Sequence, residues 1–118
     1  MKDNTNSACI QNDKKEIVHI CDSYHSTIEF IGKRWMGIII YTLLDGPKRY
    51  HELLSAIPGI SDRLLIERLR DLEHEGLIER TTLKTSARAV QYMLTPVGEK
   101  LEDVIKAIKS WVQYKESH

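Results

Sequence analysis

The chain has 118 residues with 17 Lys and Arg against 17 Asp and Glu. It therefore lacks the basic surplus that marks most nucleic-acid-binding domains, and any affinity for DNA must come from how its charges are distributed. Its 42% hydrophobic content suits one globular domain and excludes disorder of the whole chain. No apolar run approaches the roughly 18–20 residues of a membrane helix, and the polar N-terminus has no hydrophobic signal core, which predicts a cytoplasmic protein with no membrane partner.

Taken in order, residues 1–15 read as a flexible N-terminal tail and residues 16–118 as a single domain. Residues 16–20 fit neither helix nor strand decisively. Asp22 or Ser23 is the expected cap of a first helix ending near Ile31, with Tyr24, Ile28 and Ile31 on one face. Gly32 interrupts it. A second helix is expected over 34–44, holding Trp35, Ile38, Ile39 and Leu43, before Gly46-Pro47 stops it. The β-branched run at 38–40 is also compatible with a strand, although capping and length favour helix.

Residues 50–57 predict a short helix, and Pro58-Gly59 a tight turn. Ser61 then caps a helix on which Leu65, Leu69 and Leu72 recur at i, i+4, i+7, with Gly76 as its C-terminal cap. The opposite face carries Arg63, Glu67, Arg70 and His74. Two helices joined by a tight turn, the second with long polar side chains on its open face, fit a helix-turn-helix; they also fit a helical hairpin of any small α domain. Residues 77–83 and 90–95 predict two strands of a ribbon, joined by a small, polar, basic loop at 84–89. Pro96 opens a last helix to about Tyr114 with the stripe Leu101, Val104, Ile105, Ile108, Trp111 and Val112. The fold class is mainly α with a small β-ribbon (α+β).

This order of elements carries specific residues: Gly32-Lys33-Arg34-Trp35, the run at 44–53 (LDGPKRYHEL), and Ile57-Pro58-Gly59-Ile60-Ser61. Leu69-Arg70-Asp71-Leu72-Glu73, Gly76-Leu77-Ile78 and Tyr92-Met93-Leu94-Thr95 before Gly98 continue the set. Together they resemble the HxlR-type winged helix-turn-helix regulators, a bacterial branch near the MarR group, over about residues 21–112. The chain departs from the family's habit at Asp22, where a proline often follows the N-terminal cysteine, and at Ser86-Ala87-Arg88, where prolines often occupy the wing. The resemblance implies a transcriptional regulator, more often a repressor. It would bind double-stranded DNA as a homodimer on a pseudo-palindromic operator, with no cofactor.

On that reading Ser61, Asp62, Arg63 and Glu67 are the candidates for reading bases, Arg63 foremost, because a guanidinium can fork onto guanine O6 and N7. Lys48, Arg49, Arg68, Lys84, Thr85 and Arg88 are candidates for the DNA backbone, with an internal carboxylate the alternative for Arg68. Arg and Glu on an open helix face are also what a merely solvated helix shows. Tyr24 and Ile28 of the first helix, with Ile105, Ile108, Trp111 and Val112 of the last, are the expected dimer interface; packing on the chain's own core is the competing use of that stripe.

Cys21 lies just before the expected first-helix cap, beside His19 and one turn from His25. A helix N-terminus and an imidazolium both favour thiolate, the form that oxidants and electrophiles attack. Cys21 also matches the position of a cysteine that some HxlR-type members use to sense reactive species. Cys9 is the candidate resolving thiol, and a small oxidant or electrophile the candidate effector. Cys21 as a small buried apolar residue is the plain alternative. His19, Cys21 and His25 also make a candidate metal-responsive cluster, though no zinc-binding motif supports it, and no metal is expected. A phosphate-binding glycine loop, a GxSxG elbow and a metalloprotease motif are all missing, so no enzyme is expected. A winged-helix protein-interaction module is the reading from a different class.

Overall fold

A computed structural model describes the backbone of residues 14–82 and 90–118, and the side chains of 22–82 and 90–118. Lys84, Thr85, Arg88 and Cys9 lie outside the described residues, as do the side chains of His19 and Cys21. The chain divides into two compact units that part between Arg34 and Trp35, each described by itself.

The first unit contains α1, Lys14–Ile31. The helix begins well before the expected cap and takes in residues 16–20, which were ambiguous in sequence, together with Lys14 and Lys15 of the expected tail. Asp22 and Ser23 do not cap it; they sit on its exposed surface, where polar side chains cost the helix little. Thr27 Oγ1 bonds back to the Ser23 carbonyl at 2.9 Å, which satisfies the hydroxyl inside the helix.

The second unit begins with α2, Met36–Leu44, whose Met36, Ile39, Ile40 and Leu43 are fully or almost fully buried. The β-branched run is helical, with Ile38 turned outward. A two-residue strand, β1 (Lys48–Arg49), leads directly into α3, Tyr50–Ala56. Then comes α4, Asp62–His74, which buries Leu65, Leu69 and Leu72 as its leucine spacing requires. Gly76 takes φ +77, and the Leu77 N–H reaches the Leu72 carbonyl at 2.9 Å, closing the helix end and turning the chain into β2.

Strands β2 (Ile78–Thr82) and β3 (Val90–Leu94) pair antiparallel, and β1 adds to the far edge of β3, giving the order β1-β3-β2. The ribbon is therefore three-stranded at its base. The expected last helix is two: α5, Pro96–Glu99, and α6, Glu102–Ser117, joined through Lys100 and Leu101. Gly98 explains the tight turn, because a Cβ there would run into the Leu77 carbonyl oxygen. Thr95 fixes the same junction: its side chain accepts from the Gly98 N–H and donates to the Gly76 carbonyl. The core lies where α2, α3 and α4 meet the Ile78–Leu94 end of the ribbon, with Ile105 from α6.

Candidate nucleic-acid interface

Ser61 does what its position predicted. It is the N-cap of α4, and its Oγ accepts the Leu64 N–H at 3.1 Å. The turn before it is braced from outside. Trp35, at the N-cap of α2, adopts a left-handed backbone (φ 74), uncommon for a bulky residue. Its indole edge reaches Gly59, where a Cβ would stand 3.4 Å from Cη2. With φ +94, Gly59 supplies both the turn conformation and the room for that indole.

Of the base-reading candidates, Arg63 and Glu67 project from the exposed face of α4 opposite the buried leucines. Asp62 is differently employed. Its Oδ1 accepts the Tyr50 hydroxyl at 2.6 Å, and that hydroxyl also lies 3.2 Å from the Asp62 carbonyl oxygen. The carboxylate thus ties the start of α3 to the start of α4 and stabilises the positive end of the helix dipole, leaving it poorly suited to reading a base. Burial first, then the hydrogen bond and charge of Asp62, push the Tyr50 pKa up to about 12, so at neutral pH the phenol remains a donor.

The backbone candidates divide. Arg68 is only 14% exposed; its Nη1 lies 3.4 Å from Asp71 and 3.8 Å from Glu67, so the internal carboxylate prevails over phosphate for this residue. Lys48 lies 3.3 Å from Asp45, an exposed carboxylate, in a pair of the kind that contributes little and exchanges readily. Arg49 is exposed. Lys84, Thr85 and Arg88 fall outside the described residues.

One feature was not read from the sequence. Between α4 and the ribbon runs a half-open cleft of about 420 Å³, lined by Tyr50, Ile66, Arg70, Glu73, Arg80 and Tyr92 among others. Arg80 pairs with Tyr92 across the ribbon, and both stand on the face that buries Ile78 and Leu94 one step nearer the core. Period-two spacing from Ile78 was the available signal for Arg80. Tyr92 needed the hairpin register, and Tyr50 a contact across the helix-turn-helix.

The apolar stripe of α6 is split between two uses. Ile105 is 8% exposed and belongs to the chain's own core, so it is not available to a partner. Val104, Ile108, Trp111 and Tyr114 are 41%, 50%, 59% and 62% exposed and run along one face of the helix. Val112 is half-buried. On α1, described by itself, Tyr24 and Ile28 are also exposed.

Cys21 lies about two turns inside α1. The helix-terminus argument for a lowered thiol pKa therefore fails, because the dipole acts within the first turn. His25 remains one turn away along the same helix. Among the described residues there is no group of three or more His, Cys, Asp or Glu placed to hold a metal ion, and no helix long and apolar enough to cross a membrane.

Residues 30–118 match the family model described as HxlR-like helix-turn-helix. The chain is 40% identical over 92 residues to the HTH-type transcriptional regulator YodB of Bacillus subtilis strain 168, covering 78% of this chain and 82% of that protein. Among solved structures, the quinone-bound YodB from B. subtilis superposes with a TM-score of 0.71 at 37% identity, covering 80% of this chain and 99% of the other. The redox regulator HypR in its reduced form gives a TM-score of 0.73 at 33% identity, covering 80% and 93%.

Proposed function

The chain belongs to the HxlR-like helix-turn-helix family of DNA-binding transcriptional regulators, and we propose that it acts as a homodimeric repressor whose hold on a pseudo-palindromic operator is switched by modification of Cys21. The observation that carries the reading is the build of α4. Its leucines are buried, its start is capped by Ser61 and tied down by Tyr50, and its open face presents Arg63 and Glu67 beside a β-ribbon. A helix seated this firmly holds its first turn rigid in a major groove. There Arg63 forks onto guanine, Glu67 accepts from cytosine N4, and Arg49 with the 84–89 loop meets phosphate.

One recognition helix spans only a few base pairs, so specificity calls for two copies about one helical turn apart. The exposed stripe of Ile108 and Trp111 on α6 offers apolar surface for that pairing, and Tyr24 and Ile28 on α1, described by itself, are a separate candidate. The switch rests on the likeness to one regulator solved with quinone bound and another called a redox regulator. His25, one turn from Cys21, favours thiolate when protonated. An electrophilic quinone carbon would take the sulfur's electron pair to form a thioether, the thiol proton ending on the reduced ring. Hydrogen peroxide would instead pass one oxygen to the thiolate, releasing hydroxide, to give a sulfenic acid that condenses with the Cys9 thiol to a disulfide with loss of water.

The test is a gel-shift titration on DNA upstream of the chain's own and neighbouring genes, in reductant and then after diamide or a quinone, with Cys21→Ser alongside. Specific binding that treatment alters in wild type and not in the variant is expected. Specific binding indifferent to treatment retires the thiol switch. Binding without sequence preference at any salt turns the assignment to a protein-interaction module.

A further inference from the structure

We propose that Arg70 and Arg80 form a seat for one phosphodiester of the duplex, in the cleft between α4 and the β-ribbon. The inference rests on the DNA-binding reading above and adds a site to it. The cleft's position is the first argument. On that reading α4 enters the major groove with the β-ribbon beside it, so phosphates at the edge of the groove face the gap between these two elements. The cleft of about 420 Å³ lies in that gap, with α4 on one side and β2 and β3 on the other.

Its lining is the second argument. Arg70 projects from α4 with Ile66 and Glu73 at i, i+4, i+7 spacing, and Arg80 comes from β2 in register with Tyr92. Two arginines from different elements thus line one opening. Arg68 is bound up with Asp71 and Glu67, Lys48 with Asp45, and Lys106 with Glu102 at 2.8 Å. Neither Arg70 nor Arg80 forms an ion pair among the described residues. In a chain of zero net charge, two arginines without an ion pair among the described residues make a local positive field, opposed among the described lining residues by Glu73 alone. Guanidinium forks match phosphate oxygens, and the Tyr92 ring gives the sugar a flat apolar wall. Such a contact fixes the angle at which α4 enters the groove and reads no sequence itself.

The experiment measures affinity for a random-sequence duplex and for the operator fragment as salt is raised, with Arg70→Ala, Arg80→Ala, the double alanine variant and their lysine counterparts. Because the two arginines share one phosphate, the double alanine variant should reduce the steepness of log Kobs against log salt by about 0.9 and weaken binding roughly tenfold at 0.1 M salt, and each single alanine variant should show part of that loss, equally on both duplexes. The lysine variants should keep most of the slope, which separates lost charge from lost packing. A wild-type slope in the double alanine variant, or a loss confined to the operator, overturns the seat while leaving the regulator intact. A wild type with no salt-dependent binding to either duplex sinks the regulator reading and the seat together.

Discussion

Tyr50 and Asp62 stand 12 residues apart, yet one 2.6 Å hydrogen bond joins the first turns of both helices of the helix-turn-helix. The donor is a phenol raised from 10.0 to about 12, so its proton is held more tightly in the folded chain than in the unfolded one. Below pH 10 both states keep the proton and the tie stabilises the fold in full. Between about pH 10 and 12 the unfolded chain releases its proton first, so stability falls as pH rises through that window. Spectrophotometric titration of the folded protein should show one phenol ionising near pH 12, missing in Tyr50→Phe. The variant should lose about 1 kcal/mol of stability at neutral pH and flatten the fall above pH 10. An unchanged titration in the variant would assign the late phenol elsewhere. Asp62 was legible as the first residue of a helix, but its partner was not, because nothing local in a chain says which tyrosine a carboxylate will meet.

At the scale of elements, what was legible in sequence was what local chemistry decides. The leucine repeat, the Ser61 cap and the Gly76 terminus lie within one short run, and α4 formed as they require. The ribbon followed from period-two alternation. Elements decided by distant partners escaped. A strand as short as β1 exists only because β3 accepts it, through Lys48 opposite Tyr92 and Arg49 opposite Gln91. Asp22 and Ser23 looked like caps because cap residues and exposed helix residues share a composition, and Cys21 was misplaced with them. The α5–α6 junction depends on the approach of Gly98 to the backbone of Leu77, which no pattern announces. That contact yields a prediction. Gly98→Ala forces the ribbon and α5 apart and should cost about 2 kcal/mol, lowering Tm by several degrees. Since Pro96 and Thr95 still start the helix, far-UV helicity should persist; a variant melting with wild type would show that the junction gives way at no cost.

For the whole molecule, the separation of Ile105 from its neighbours on α6 decides what can be tested. A helix stripe can bury itself in its own core or in a second copy, and here the two uses fall on different residues. Ile105 is part of the core, so truncating it would cost about 2–5 kcal/mol of stability and confound any readout of assembly. Ile108 and Trp111 are 50% and 59% exposed, with Lys115 Nζ 5.1 Å from the Trp111 ring centroid, so replacing them leaves the core untouched. If they pair two copies, Ile108→Glu and Trp111→Glu place a carboxylate in an apolar interface, and sedimentation should show monomers with an unchanged melting profile at low concentration. Operator affinity should then fall far more than random-sequence affinity. Half-site specificity multiplies only when two recognition helices are held together, whereas phosphate neutralisation by a single copy survives. Arg63→Ala makes the complementary case: it should remain a dimer and lose about 1–3 kcal/mol of discrimination at one position in each half-site. Wild-type sedimentation and operator affinity in both glutamate variants would move the interface away from α6 and leave the exposed stripe of α1, with Tyr24 and Ile28, to carry it.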